Sequence, residues 1–184
     1  RVWDDQNGRL FHGNFWANIE IDLTTGQFTE RSNLCPTPDA LLQMCDPDFM
    51  VESLHDDLMV MLYAMERFDV EGDMPLLNQL AHHLSEAPID TSDPQTTLEG
   101  VTRLKLAYGF AASRYLVDQA QQFLDGLGKQ LLVCLLCPTA TNQVLNGQPR
   151  YDQAFADHLR EADFRVFDMN EIHGEDFGDF NLSV

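Results

Sequence analysis

Hydrophobic positions near the start of the chain fall at every second place. In residues 17–23, Ile19, Ile21 and Leu23 alternate with Glu20 and Asp22, which predicts a strand with one buried face. Thr24, Thr25, Gly26 and Gln27 supply a turn, with Gly26 free to take positive φ, and residues 28–31 return. A β-hairpin is therefore expected near the N-terminus, with a further strand over residues 9–15. Cys35-Pro36-Thr37-Pro38 breaks the chain.

The period then becomes helical. Asp46-Pro47 has the form of an N-cap followed by proline at the first helical position, opening a helix expected to run to Phe68. Six of the seven methionines lie in or beside this segment, as core filler or as a partner groove. A second helix is expected over residues 75–86. It carries His82-His83, neighbours that diverge by about 100° around a helix and so do not share a metal. Residues 87–94 form a loop. Thr96 and Glu99 resemble a capping box that starts a long helix ending near Leu127, with Gly126 and Gly128 as the stop. A strand over residues 130–137, a loop over 138–149, a helix over 150–163 and a strand over 164–169 complete the pattern.

Helix–strand–helix–strand with apolar strands is the grammar of a parallel sheet. The expected fold class is α/β: one domain spanning residues 1–184, three-layer, with a largely parallel, flavodoxin-like sheet and an N-terminal β-hairpin.

The charge limits the partners. With 11 Lys and Arg against 30 Asp and Glu, the net charge is −19, which argues against nucleic acid and against an anionic membrane surface. A small-molecule substrate is the expected partner; the oligomeric state is not legible. Asp outnumbers Glu two to one and lysine is confined to Lys105 and Lys129, a bias that suits solubility in high salt or a general acidic surface. No apolar run approaches the ~18 residues of a membrane span. A chain that opens on Arg1 and stops at Val184 within a loop reads as a processed product or an excerpt. The lack of a visible signal peptide, together with unpaired cysteines, favours the cytoplasm. Cys134 and Cys137 form a C-x-x-C inside an apolar strand, where period-2 geometry turns them to opposite faces, so buried thiols are expected ahead of zinc or redox chemistry.

In parallel sheets ligands bind beyond the carboxyl ends of the strands. Residues 138–142 and 168–176 hold that place and should lie close together if their strands are neighbours. The second segment is the densest in chemistry: Asp168, Glu171, Glu175 and Asp176 surround His173. His173 with Asp168 suits a general base oriented by a carboxylate, and Thr139, Asn142 and Glu171 are placed to bind substrate. Alternatively Glu171, His173, Glu175 and Asp176 suit a divalent cation, or the segment is a solvated acidic loop. No cofactor is implied, and no G-x-S-x-G, P-loop or H-E-x-x-H motif occurs.

Residues 112–168 resemble the later half of an SGNH (GDSL-type) hydrolase. ASRYLVDQAQQFLDGLGKQLLVCLLCPTATN is similar to that family's long helix, Gly-Lys turn and strand ending in a proline-containing loop, and FRVFDMNEIH to its next strand. The resemblance implies a flavodoxin-like fold and ester or acetyl hydrolysis by a Ser-His-Asp set without metal. The Gly-Asp-Ser, Gly-x-Asn-Asp and Asp-x-x-His blocks are absent, so no catalytic residue carries over by motif. The expected function is hydrolysis of an ester of a carbohydrate or other small polar substrate. The alternative is a non-catalytic α/β module that binds a small ligand or a partner protein.

Overall fold

The structure is a computed structural model, and it describes residues 3–4, 9–10, 18–31, 37–43 and 45–172. The chain divides into two compact units, residues 1–112 and 113–184.

The first unit is helical apart from short antiparallel pairs. Strands β1 (Trp3–Asp4) and β2 (Arg9–Leu10) pair with each other. Strands β3 (Asn18–Asp22) and β4 (Gln27–Arg31) form the expected hairpin, with Ile21 opposite Phe28. Its turn places Gly26 at φ +72°, where an added Cβ would lie 2.6 Å from the His83 ring. Only glycine meets both demands. The His83 ring nitrogen Nε2 lies 2.6 Å from the Leu23 carbonyl oxygen, which ties the hairpin to the helix carrying His83.

Among the described residues, four helices and half of a fifth complete this unit. These are α1 (Pro38–Gln43), α2 (Pro47–Leu54), α3 (Leu58–Phe68), α4 (Met74–His83) and the first half of α5 (Pro94–Gly126). The single helix expected from Asp46 to Phe68 is two. Asp57 interrupts it, its carboxylate accepting from the Val60 N–H at 2.9 Å and so capping α3. Asp46 caps α2 as expected. The start of α5 is capped by Asp93, not by Thr96: the Asp93 carboxylate accepts from the N–H groups of Gln95 and Thr96, with Pro94 following the cap. Ile21, Leu58, Leu62, Leu77, Leu80, Ala81, Ile89, Val101, Leu104 and Tyr108 form the core, and Met59, Met61, Met65 and Met74 pack around it as filler. Tyr108 stacks on Phe28 with ring centroids 5.9 Å apart.

The second unit contains the rest of α5, then β5 (Leu132–Leu135), α6 (Pro138–Leu145), α7 (Gln153–Glu161), β6 (Arg165–Asp168) and a 3-10 turn (Met169–Glu171). β5 and β6 are parallel neighbours, with Leu135 opposite Asp168. Phe155, Ala156 and Leu159 bury one face of α7.

The flavodoxin-like, three-layer α/β expectation is thereby corrected. Among the described residues the strands form three separate two-stranded pairs, and only β5 and β6 are parallel. A layered parallel sheet needs several strand–helix repeats, whereas residues 38–126 are mainly helical and supply no strand between β4 and β5. The strand–helix–strand grammar was correct for one repeat and did not extend beyond it. Residues 138–149 are not a plain loop either: Pro138 opens α6, where it occupies a first-turn position that needs no N–H.

Candidate active site at the carboxyl ends of β5 and β6

The parallel pairing brings the two segments singled out in the sequence together. Asn170, fully buried in the 3-10 turn, joins them. Its Oδ1 accepts from the Cys137 N–H at 2.7 Å and from the Thr141 hydroxyl at 3.1 Å, while its Nδ2 donates to Asp168 Oδ1 at 3.1 Å. The carboxyl end of β5, the first turn of α6 and the carboxyl end of β6 are thus held by one side chain.

Asp168 is committed further. Its Oδ2 accepts from Arg150 Nη1 at 2.5 Å and from Arg160 Nη2 at 3.2 Å. Arg150, with only 3% of its side chain exposed, makes a bidentate pair with Asp152 at 2.8 and 2.9 Å. The bonds to Asp152 raise the Arg150 pKa; burial opposes them, and the Asp168 bond adds to the rise, so the guanidinium stays charged. Glu171 completes the cluster, accepting from Arg160 at 2.9 Å and from Arg150 at 3.3 Å. Arg150, Asp152 and Asp168 form the buried part of this network, where removing one member leaves the others' charge uncompensated, while Arg160 and Glu171 reach solvent.

The thiol of Cys137 lies at the other side of this latch. Cys137 is the N-cap of α6, and its Sγ is 3.1 Å from the Tyr151 hydroxyl. Burial pushes its pKa up, but the Tyr151 hydroxyl and the N–H groups of Ala140 and Thr139, together with the Thr139 hydroxyl, outweigh burial and bring it below the ordinary thiol value. This is the combination of helix N-terminus and hydrogen-bond donors that favours thiolate. In turn the Tyr151 phenol is pushed up to about 12, chiefly by its bond to the Cys137 sulfur and then by burial, so it remains a donor. Tyr151 is held by its own N–H, which donates to Gln143 Oε1 on α6 at 2.8 Å.

No family model, curated protein or solved structure matches the chain. Roles therefore rest on the geometry of the residues themselves.

Of the residues singled out in the sequence, Asp168 and Glu171 lie in the arginine cluster, while Thr139 and Asn142 are exposed on α6. His173, Glu175 and Asp176 lie outside the described residues. Among the described residues no group of three or more His, Cys, Asp or Glu is arranged to hold a metal ion, and the Glu171 carboxylate is shared by two guanidinium groups. The thiols differ from expectation: Cys134 is exposed and Cys137 is half-buried. Cys137 was expected as a buried thiol, and Tyr151, Arg150 and Asn170 were given no role from the sequence. For Cys137 a signal was present in Cys-Pro at a strand-to-helix junction; for Arg150 and Asn170 one partner each lies two residues away, Asp152 and Asp168, but the others lie 18 to 33 residues away and carry no local mark. Among the described residues no helix is long and apolar enough to cross a membrane.

Proposed function

We propose that the second unit carries a thiol-dependent ester hydrolase site, acting on an ester of a carbohydrate or other small polar substrate, with Cys137 as nucleophile. One observation carries the reading: the Cys137 sulfur sits at the N-terminus of α6 with a phenol donor at 3.1 Å and a lowered pKa. The thiolate adds to the acyl carbon, the ester C–O bond breaks, and the alcohol leaves after gaining a proton. Water then cleaves the thioester, releasing the acid and restoring the thiolate. Asn170 is a positioning residue in this scheme, since it accepts from the Cys137 N–H, and Asp168 acts through it by accepting from the Asn170 Nδ2. The exposed Thr139, Asn142 and Glu171 supply a polar rim for the substrate.

Cys45 and Cys134 are both exposed and serve as internal controls. Peptide mapping after iodoacetamide treatment across pH should show Cys137 reaching half-maximal alkylation at a lower pH than Cys45, with Tyr151→Phe moving its midpoint upward. p-Nitrophenyl acetate should be hydrolysed by the wild type and not by Cys137→Ala. Unchanged turnover in Cys137→Ala, or loss of activity on fluorophosphonate labelling of a serine, overturns the assignment. The binding-module reading is favoured by a different feature: Arg150, Asp168 and Asn170 brace one another, Arg160 and the Cys137 backbone, as in a scaffold. It predicts a reactive Cys137 without turnover.

A further inference from the structure

Ester cleavage by a thiolate leaves one proton to be supplied. The alcohol of an alkyl ester departs as a strong base unless it is protonated while the C–O bond breaks. The donor must reach the leaving oxygen, which is bonded to the same carbon that the Cys137 sulfur attacks. A donor in hydrogen-bond contact with that sulfur is therefore within reach of the leaving oxygen.

Among the described residues, the Tyr151 hydroxyl, the N–H groups of Thr139 and Ala140 and the Thr139 hydroxyl have that contact. An amide N–H or an aliphatic hydroxyl is no more acidic than the departing alcohol, so it steadies charge without giving up its proton. A phenol, with an ordinary pKa of about 10, is more acidic than an alkyl alcohol and can give it up.

The placement of Tyr151 suits that role. It stands between Arg150 and Asp152, each 6% exposed and joined by the bidentate ion pair, and its N–H donates to Gln143 Oε1 at 2.8 Å. Its backbone is thus fixed, while the residue itself is 39% exposed and open to a substrate. Its acidity also follows the reaction. The phenol is held up at about 12 chiefly by its bond to the Cys137 sulfur. Attack removes the negative charge from that sulfur, so the main cause of the rise vanishes as the leaving oxygen becomes basic.

We propose, resting on the thiol-nucleophile reading, that Tyr151 is the general acid that protonates the leaving alcohol. Its O–H bond breaks as the leaving oxygen gains the proton, giving the free alcohol, an acylated sulfur and a phenolate. In deacylation the phenolate takes a proton from the attacking water, whose hydroxyl joins the acyl carbon. The C–S bond then breaks, releasing the carboxylic acid and restoring thiolate and phenol. The substrate class is sharpened accordingly: an ester of a poorly leaving alcohol, such as a carbohydrate hydroxyl, needs this proton, whereas p-nitrophenolate leaves without it.

The test compares ethyl and p-nitrophenyl acetate as substrates of the wild type, Tyr151→Phe and Cys137→Ala. The quantity read is kcat/KM, which reports the steps up to release of the alcohol. The pH is set above the alkylation midpoint of Cys137 in both the wild type and Tyr151→Phe, so that the thiol is ionised in each. Tyr151→Phe should lose about 100-fold or more on ethyl acetate, the size of a general-acid contribution, and less than about threefold on p-nitrophenyl acetate. Retained turnover of p-nitrophenyl acetate is also the check that the variant is folded. Equal losses on the two esters, or no loss on ethyl acetate, overturn the proposal and leave Tyr151 as a residue that only holds the thiolate. Unchanged turnover of p-nitrophenyl acetate by Cys137→Ala overturns the nucleophile itself and the proposal with it, so the two failures are told apart by which variant fails.

Discussion

Replacing Asn170 with alanine separates the latch from the rest of the second unit. The side chain is fully buried and makes three hydrogen bonds, but they are not equal in consequence. The Thr141 hydroxyl has a second acceptor at the same distance, the Cys137 carbonyl oxygen at 3.1 Å, so its proton remains satisfied. Asp168 Oδ1 keeps the Asn170 backbone N–H at 3.1 Å, which the substitution does not touch. The Cys137 N–H, bonded to Asn170 at 2.7 Å, is left with nothing in its place. One partly buried donor without an acceptor costs about 1–3 kcal/mol, and the cavity left by the amide adds to it. A loss of about 2–4 kcal/mol is expected, concentrated in the second unit. Both tryptophans, at positions 3 and 16, precede residue 113 in the sequence, so tryptophan fluorescence is the wrong probe. Hydrogen exchange read on the peptide covering residues 132–145 should show faster exchange, and Cys137 should lose its low-pH alkylation. If exchange in that peptide is unchanged while the wild-type alkylation profile persists, Asn170 is not what positions Cys137.

Two further outcomes follow from the charged groups. Arg150→Met strands Asp152, with 8% of its side chain exposed, and leaves Asp168 with Arg160 as its remaining cation; a loss approaching 3–5 kcal/mol is expected in urea titrations followed by exchange of the second unit, and a neutral result would show the network to be replaceable. Acid should loosen the first unit in a defined direction. The Asp93 pKa is lowered mainly by the Thr96 N–H, and that of Glu66 mainly by its bond to Lys105. Because both folded values lie below the unfolded ones, their stabilisation is complete above the ordinary carboxylate range near pH 4 and is lost as pH falls through the depressed values. The double variant Asp93→Asn, Glu66→Gln should accordingly show a shallower fall in melting temperature on acidification than the wild type.

Local order was legible wherever the controlling interactions are near in sequence. Alternation in residues 17–23 with Gly26 behind it specified the hairpin, because pleat and turn geometry act over a few residues. Asp46-Pro47 specified the start of α2 for the same reason, and the spacing of Phe155 and Leu159 specified a buried face of α7. Competing local signals were harder to rank: Asp93 takes the cap from Thr96, and Asp57 divides a helix that apolar spacing alone would continue. The placement of residues 138–142 beside 168–170 was also legible, since a strand–helix–strand repeat brings the ends of its strands together.

Long-range pairing lies beyond that reach. Whether β5 and β6 gain further neighbours depends on the rest of the chain, and helical residues 38–126 supply none. Arg150 looks like an ordinary surface arginine until folding places Asp152 and Asp168 around it and removes water. Cys137 looks like one more apolar-strand thiol until α6 starts at Pro138 and the Tyr151 hydroxyl comes to 3.1 Å from its sulfur. The sequence by itself determined the periodic elements and the acidic surface. The chemistry of the thiol and of the arginine cluster was decided by the tertiary structure, because desolvation and opposing charge exist only once distant segments meet.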